Sequence, residues 1–224
     1  MKIKSLILLL GLLALNGWSQ SLTSSFTNST VTAIPDGSPV GVMEQVTVIG
    51  LGGSISNVQV TLDITGGFNG DLYAYLVSPQ GQFVVLLNRP GVTGSNPFGY
   101  ADAGMTITLD GLATNNIHYY GATPVYSLSG TTWAADGRNV NPQSSGTVFD
   151  STSPTAGLSQ YNGVNGGDVN GTWTLFIADL SAGGGTPSLN GVILTIMTVP
   201  EPQTWLMLGS GLALFGLLRG RRNP

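Results

Sequence analysis

Five oxygen-bearing side chains lie at predicted junctions between turns and strands, and they have the chemistry of calcium ligands. They are Asn69, Asp71, Asp168, Asn170 and Asp179. Hard cations bind carboxylate and amide oxygens together with backbone carbonyls, which glycine-rich turns leave accessible. Asp, Asn and Gly are also the residues that tight turns require for local hydrogen bonding. Turn chemistry is therefore the preferred interpretation, and calcium is the alternative and the one cofactor that the sequence suggests.

The chain contains few of the residue types that usually carry out catalysis. His118 is the only histidine, and there is no cysteine. A Ser-His-Asp mechanism needs an imidazole beside an activated nucleophile, and the chain has neither a Gly-x-Ser-x-Gly elbow nor a His-Glu-x-x-His zinc motif. We expect His118 to be a surface residue of a loop or strand. We therefore predict no catalytic residues and no enzymatic activity.

Aromatic side chains offer a second kind of binding chemistry, because an exposed ring can stack on a sugar ring. The candidates for glycan contact are Tyr73, Tyr75, Tyr119, Tyr120 and Trp133. Tyr73 and Tyr75 lie on one face of a predicted strand whose other face is apolar, so one of the two rows points outward. The alternative is that both rows are buried between two layers.

An alternation of apolar and polar residues marks the elements that would position these side chains. Over residues 55–64, four apolar side chains alternate with Gln59, Thr61 and Asp63, which is typical of a half-buried strand. Further strands are predicted at residues 42–49, 71–77, 83–87, 105–109, 117–120, 172–178 and 192–198. Residues 121–171 form no clear element. Because no segment of the body keeps a 3.6-residue period, the predicted class is all-β, with two stacked antiparallel sheets.

The charge distribution restricts the class of partner. Charged residues make up only 8% of the 224 residues, against about 25% in ordinary soluble domains. Most of the basic residues lie at the two ends of the chain, and residues 20–199 keep only Arg89 and Arg138 against every acidic residue except Glu201. Such an acidic, lysine-free body argues against nucleic acid as a partner. Without cysteine no disulfide can form, so packing must hold the fold.

The N-terminal segment has the pattern of an export signal. Lys2 and Lys4 precede an apolar stretch over residues 6–15, and Gly17 and Ser19 supply small residues around a cleavage point. We predict a signal peptide over residues 1–19, with an uncleaved anchor as the alternative. Residues 20–33 are rich in Ser and Thr, and we expect them to form a loose leader.

The C-terminal segment, residues 199–224, contains three features in a fixed order. They are a tripeptide, a charge-free apolar run over residues 205–218 and a basic tail. The residues of the tripeptide and the tail are Pro200, Glu201, Pro202, Arg219, Arg221 and Arg222. The apolar run is shorter than the about 20 residues of a typical transmembrane helix, but one helix could cross a thin bilayer if its flanks snorkel. The arginines place its end in the cytoplasm.

This order resembles the PEP-CTERM sorting signal of Gram-negative bacteria. The resemblance implies recognition and cleavage by an exosortase, a membrane-embedded cysteine transpeptidase-like enzyme. It also implies transient anchoring in the inner membrane, followed by delivery to the cell surface or the extracellular matrix. An ordinary C-terminal anchor with an incidental Pro-Glu-Pro is the alternative.

A second series of motifs runs through residues 34–198. It consists of Ile34-Pro35-Asp36, residues 55–60, Gly70-Asp71-Leu72, residues 76–81, residues 168–175 and Ile177-Ala178-Asp179. In this order the motifs resemble the P domain (P/Homo B) of proprotein convertases. The resemblance implies a jelly-roll-like β-sandwich of galactose-binding-like architecture. The chain departs from the family pattern before Gly70, where a histidine is common, and at Gly191, where a tryptophan is usual.

Three classes of function follow from these features. The expected one is an exported, non-enzymatic protein of the cell surface or extracellular matrix, sorted through its tail. A carbohydrate-binding module for exopolysaccharide, or a calcium-binding accessory module, is the alternative. A peptidase-associated protein is the third, because in convertases the P domain accompanies a subtilisin-like catalytic domain. Here only the predicted signal peptide precedes it.

Overall fold

Two β-sheets account for most of the chain in the computed structural model, which describes residues 20–121, 128, 131–200 and 211. The strands are β1 (Leu22–Asn28), β2 (Thr32–Ala33), β3 (Ser38–Val48), β4 (Ser54–Phe68), β5 (Leu72–Val77), β6 (Phe83–Asn88), β7 (Ala103–Asp110), β8 (Thr132–Trp133), β9 (Gly171–Asp179) and β10 (Ser188–Val199). The connections contain one short α-helix, α1 (Gly146–Ser151), and 3₁₀ helices at Asn69–Asp71, Ile117–Tyr119, Leu158–Tyr161 and Gly166–Val169. The all-β prediction is confirmed.

The larger sheet has the strand order β1-β10-β4-β7-β8, and β2 also pairs with β10. The smaller sheet has the order β3-β9-β5-β6. Every strand pair is antiparallel except β7 with β8, which is parallel. Because sequence neighbours are seldom sheet neighbours here, the chain crosses repeatedly between the two sheets.

In β4 and β5 the alternation of residue types along the strand corresponds to an alternation of buried and half-buried side chains. Val58, Val60, Leu62 and Ile64 are buried, while the residues between them are half-buried. On β5 the buried positions are Leu72, Ala74 and Leu76. One face of each strand therefore packs inward, and the two inner faces meet in a single hydrophobic core.

Large aromatic side chains close one part of this core. Trp173 on β9 and Tyr161 are fully buried, with ring centroids 5.0 Å apart. The Trp173 indole Nε1–H donates to the carbonyl of Val169, 2.9 Å away. A buried indole usually needs such a partner, and this one ties β9 to the preceding 3₁₀ helix.

The N-terminal region corrects one prediction. The expectation of a loose leader over residues 20–33 is wrong for β1, which pairs with β10 from Leu22↔Thr198 to Asn28↔Val192. The Ser and Thr residues of β1 suit an edge strand whose outer side meets water. Phe26 packs against the core, and the Ser25 and Thr195 hydroxyls lie 2.9 Å apart. A polar composition therefore concealed a strand that a few contacts hold in place.

The irregular middle is also more ordered than its composition suggests. Asp136 N–H and Gly137 N–H donate to the carbonyls of Leu86 and Val85, so this loop covers the free edge of β6. The predicted strand at residues 117–120 is wrong. The segment Ile117–Tyr119 is a 3₁₀ helix, whose start is capped because Asn116 accepts a hydrogen bond from His118 N–H.

One end of the sandwich carries both ends of the described chain. Ser54 pairs with Val199, and residues 49–53 connect β3 to β4 at the same end. Leu22 of β1 pairs with Thr198, next to the last residue of β10. We call this the exit end of the sandwich.

Candidate functional site

The outer face of the smaller sheet carries a cluster of aromatic rings. Tyr73 and Tyr75 on β5 lie beside Phe176 on β9 and Phe83 on β6. The centroid of the Tyr75 ring lies 4.8 Å from that of Phe176 and 4.9 Å from that of Phe83. The centroid of the Tyr73 ring lies 6.3 Å from that of Phe176. Met43 on β3 is paired with Phe176 and is mostly exposed. We call these five residues the aromatic face.

Tyr75 has a neighbouring ring on each side. Its plane lies 16° from that of Phe176 and 42° from that of Phe83, and β9 and β6 flank β5 on opposite sides. A sugar stacks on an uncovered ring face, and the two flanking rings make Tyr75 the less accessible of the two tyrosines. Tyr73 meets its neighbours at 61° and 63° and is the better candidate for stacking. Burial raises the pKa of the Tyr73 hydroxyl, and the neighbouring Tyr75 adds to the shift.

The other aromatic candidates lie elsewhere and differ in exposure. Tyr120 and Trp133 are buried in the core, so the prediction that they face a glycan is wrong for both. The Tyr120 hydroxyl donates to Asp102 Oδ2 at 3.1 Å, and burial is the main cause of its raised pKa. Tyr119 is exposed at one edge, but its hydroxyl accepts a hydrogen bond from Arg138 at 2.7 Å. The five candidates therefore do not form one site.

His118 lies inside the protein rather than on its surface, so the prediction of a surface residue is wrong. Its Nδ1 lies 2.7 Å from Asp136 Oδ2, and its Nε2 lies 2.9 Å from the carbonyl of Val92. The ring stacks on Phe149 at 5.6 Å. Both ring nitrogens therefore have partners within the protein.

Arg138 completes a buried polar network around Asp136. Its Nη1 lies 3.0 Å from Asp136 Oδ1, and its Nε donates to the carbonyl of Thr152 at 2.9 Å. The guanidinium also lies over the Tyr119 ring, 5.0 Å from the centroid. The network joins the 3₁₀ helix at Ile117–Tyr119 to the loop that covers β6. With both nitrogens of His118 occupied, the arrangement fits a structural role, and the sequence pointed to neither Asp136 nor Arg138.

Three of the calcium candidates lie at the opposite end of the sandwich from the exit end. Asp179 ends β9 and is paired with both Ser38 and Leu72, while Asp71 directly precedes β5. We call this the acidic end of the sandwich. Asn69 lies nearby in sequence, but its Nδ2 donates to Gly104 O at 3.1 Å and to the Tyr120 hydroxyl at 3.0 Å.

The acidic end has more negative than positive charge. Arg89 Nη2 lies 3.6 Å from Asp71 Oδ1, and burial raises the pKa of Asp71 in spite of this partner. Burial also raises the pKa of Asp179 to about 6, and the charges of Asp71 and Asp36 act in the same direction. Asp179 Oδ1 accepts from Ser181 N–H at 3.2 Å, whereas Oδ2 has no hydrogen-bond partner among the described residues.

Arg89 has a backbone conformation that few side chains adopt. Its φ of 48° is the one positive value among the described residues other than glycine. Its N–H donates to Leu72 O at 2.9 Å, and its side-chain Nε donates to Gly70 O at 3.2 Å. These contacts hold a guanidinium beside a buried carboxylate, which explains how the strain is tolerated.

The remaining calcium candidates lie at the exit end. Asn170 forms two hydrogen bonds with the backbone of Leu51, each 3.0 Å long, and the carbonyl of Asp168 accepts from Gln80. The proposed ligand set is thus divided between two ends of the sandwich. Within the described residues, no group of three or more acidic or histidine side chains is arranged to hold a metal ion. The calcium prediction therefore has no site in which all five residues meet.

The tripeptide of the tail begins directly after the last strand. Pro200 follows Val199 and is exposed. Glu201, Pro202, Arg219, Arg221 and Arg222 lie outside the described residues. Among those residues that are described, no helix is both long enough and apolar enough to cross a membrane. The predicted membrane segment at residues 205–218 is not among them, apart from Gly211.

Two family models match separate parts of the chain. Residues 198–222 match the PEP-CTERM protein-sorting motif, and residues 55–106 match the proprotein convertase P-domain. Both resemblances found in the sequence are confirmed over these residues. The sorting motif implies export, recognition by an exosortase and transient anchoring in a membrane. No curated protein is significantly similar to the chain.

Two solved structures of a larger protein are similar to part of this chain. The crystal structure of Aeromonas sobria serine protease in complex with a chaperone is 14% identical, with a TM-score of 0.45 over 85% of this chain. A second crystal structure of the serine protease of Aeromonas sobria is 14% identical to this chain, with a TM-score of 0.44 over 84% of it. In both comparisons the chain spans only 29% of the length of the other protein.

Proposed function

We propose that the protein is an exported, non-enzymatic component of the cell surface or extracellular matrix. On this proposal a signal peptide over residues 1–19 starts export, and an exosortase of a Gram-negative-type cell processes the tail at or near the Pro-Glu-Pro motif. The observation that carries the proposal is the match to the sorting motif over residues 198–222, which begins in the last two residues of β10. On this proposal the motif directs the protein to the cell surface or matrix, and the β-sandwich is the part that remains there.

The body fits a non-catalytic accessory module of the P-domain type, with a jelly-roll-like, galactose-binding-like architecture. The P-domain match at residues 55–106 supports this, and the extent of 34–198 is part of the proposal. The proposal that the body has no catalytic activity is supported by His118, whose ring nitrogens both contact other groups. A base in hydrolysis needs a free nitrogen within reach of a nucleophile.

Intact-mass measurement of the extracellular protein tests the sorting proposal. In cells with an active exosortase, we expect a mass that excludes residues 205–224. In cells without exosortase, or in the Glu201→Ala variant, we expect the tail to be retained and the protein to stay with the membrane. Glu44→Ala, which removes a carboxylate from the body, is the matched control and should be processed normally. Retention of the tail in the wild-type extracellular protein would contradict the proposal.

Binding of exopolysaccharide at the aromatic face is a second candidate function. The supporting observation is the contiguous set of rings on an outer sheet surface, with Tyr73 presented differently from the enclosed Tyr75. Affinity electrophoresis in gels that contain polysaccharide measures such binding directly. Tyr73→Ala should remove the retardation, and Phe98→Ala, which removes an exposed ring elsewhere, should leave it unchanged. Equal mobility of all three proteins in every polysaccharide gel would reject this function.

A further inference from the structure

The antiparallel pairing of β1 with β10 makes both ends of the described chain leave from the same end of the sandwich. Leu22 is paired with Thr198, so Gln20 and Pro200 are both at the exit end. The match to the sorting motif begins at residue 198, which is still within β10. The folded body therefore reaches the sorting signal without an intervening spacer.

The backbone at the start of the tripeptide passes close to the loop before β4. Gly53 has a φ of +72°, and a Cβ at this glycine would lie 2.4 Å from Val199 O and 3.0 Å from the Cα of Pro200. The loop before β4 and the departing chain are thus in close contact. This contact fixes the place at which the tail leaves the sandwich.

The length of the tether then limits the position of the body. Only residues 200–204 separate β10 from the apolar run that begins at Trp205, and five extended residues span at most about 18 Å. The strand β4, with its 15 residues, is about 50 Å long at about 3.3 Å per residue. The exit end must therefore lie close to the membrane during anchoring, and the acidic end is at the opposite end of a strand of that length.

The side chains at the two ends agree with this orientation. Leu22 and Ile49 at the exit end are 56% and 70% exposed. The carboxylates of Asp71 and Asp179 are at the other end. In this orientation they stay in water, so they do not incur the free-energy cost of moving a charge towards hydrocarbon. Among the described residues, Asp168 is an exposed acidic group at the exit end, and neither Arg89 nor Arg138 lies there. Without basic residues, contact with anionic headgroups gains nothing, so apolar contact is the relevant chemistry.

We propose that the exit end rests on the bilayer surface while the tail is anchored, with Ile49 and Leu22 in contact with the interfacial region. This inference rests on the sorting function proposed above, and it adds an orientation and a lipid-contacting surface. The exosortase would then meet Pro200 directly beneath the folded body. The acidic end and its carboxylates would point away from the membrane.

The lack of cysteine in the chain makes a site-specific test straightforward. Ile49→Cys and Phe98→Cys in the full chain are each labelled with an environment-sensitive fluorophore. The proteins are reconstituted into phosphatidylcholine vesicles that contain a headgroup-attached nitroxide quencher. Phe98 is 80% exposed and lies against Gly70 near the acidic end, so it controls for apolar exposure alone. We expect the probe at position 49 to lose most of its fluorescence, and the probe at position 98 to keep most of it.

The outcomes separate this inference from the function on which it rests. If the full chain does not float with the vesicles, the proposed anchoring by the tail is wrong. If the chain floats but both probes are quenched equally, or neither is quenched, the orientation is wrong. Leu22→Cys provides a second position at the exit end in case the first variant is poorly folded, and it should behave like Ile49→Cys.

Discussion

Tyr75 stacks on Phe176, with ring centroids 4.8 Å apart and ring planes 16° from parallel. The two residues are directly opposite each other on neighbouring strands. Cross-strand aromatic pairs of this kind stabilise a sheet beyond the area that they bury. The aromatic face is therefore part of the stability of the smaller sheet, whatever else it binds.

The first prediction concerns this pair. Tyr75→Ala and Phe176→Ala should each lower the free energy of unfolding by about 1–3 kcal/mol, because each removes a half-buried ring. In the double variant the loss should be smaller than the sum by about 0.5–1.5 kcal/mol. Urea denaturation at neutral pH measures both quantities, with Met43→Ala as the control of smaller effect. Strict additivity would show that the rings do not interact.

The second prediction concerns Asp179 and pH. Its pKa is raised from 3.8 to about 6 in the folded protein, so the folded state binds a proton more tightly than the unfolded state does. Its contribution to stability should be fully present below about pH 4 and should be lost as the pH rises through about 6. The difference amounts to about 1–2 kcal/mol after allowance for screening.

Urea denaturation between pH 4 and pH 8 checks this by comparing the wild type with Asp179→Asn. The amide keeps an acceptor for Ser181 N–H and removes the charge. The stability of the variant relative to the wild type should increase with pH over this window. Asp71 shifts in the same direction and should leave some pH dependence in the variant. A constant difference between the two proteins would contradict the prediction.

The third prediction concerns the buried polar network. His118→Ala should lower the free energy of unfolding by about 3 kcal/mol or more, because it leaves a cavity beside Phe149 and removes a partner of buried Asp136. Thermal and urea unfolding measure the loss. Gln143→Ala, a change at an exposed position in the loop before α1, should have little effect. A stable His118→Ala protein would show that the network contributes little to the fold.

The fourth prediction compares two glycines with similar backbone angles. Gly53 and Gly81 have φ of +72° and +78°, but a Cβ would meet Val199 O at 2.4 Å in the first case and nothing within 4 Å in the second. Gly81→Ala should cost about 1 kcal/mol through backbone strain alone. Gly53→Ala should cost about 2–4 kcal/mol, because the exit of the chain must also shift. Equal losses in urea denaturation would mean that the contact at the exit end is not tight.

The fifth prediction concerns calcium. The candidate ligands are divided between the two ends of the sandwich, so we expect a chelator to leave the melting temperature unchanged. Differential scanning fluorimetry with excess chelator, and again with added calcium, makes the comparison. A calcium-dependent rise would overturn the expectation. In that case Asp179→Asn and Asp168→Asn would identify which end binds the ion.

The strands could be predicted from the sequence wherever one face is buried, because burial imposes a period of two. Residues 55–64 are the clearest case, because the four apolar positions predicted to face inward are all buried, although Asn57 is buried as well. The strand β1 could not be predicted in this way. As an edge strand it buries little beyond Phe26, so its Ser and Thr residues resemble those of a loose segment.

The site residues were harder to predict for a different reason. Alternation alone shows that Tyr73 and Tyr75 share a face, but it does not show that Phe176 and Phe83 lie beside them. That neighbourhood depends on the sheet order β3-β9-β5-β6, which joins segments far apart in the chain. The burial of His118 depends likewise on Asp136 and Val92, which local sequence does not link to it.

The pairing of β1 with β10 also determines when the protein can fold. The first strand, β1, can pair only after the last strand, β10, has been synthesised, because Leu22 pairs with Thr198. In the same way β3 depends on β9. Closing such long loops costs entropy before any contact compensates for it. The sandwich therefore cannot be completed until almost the whole body has been synthesised, and the rest of the sorting motif directly follows its final strand.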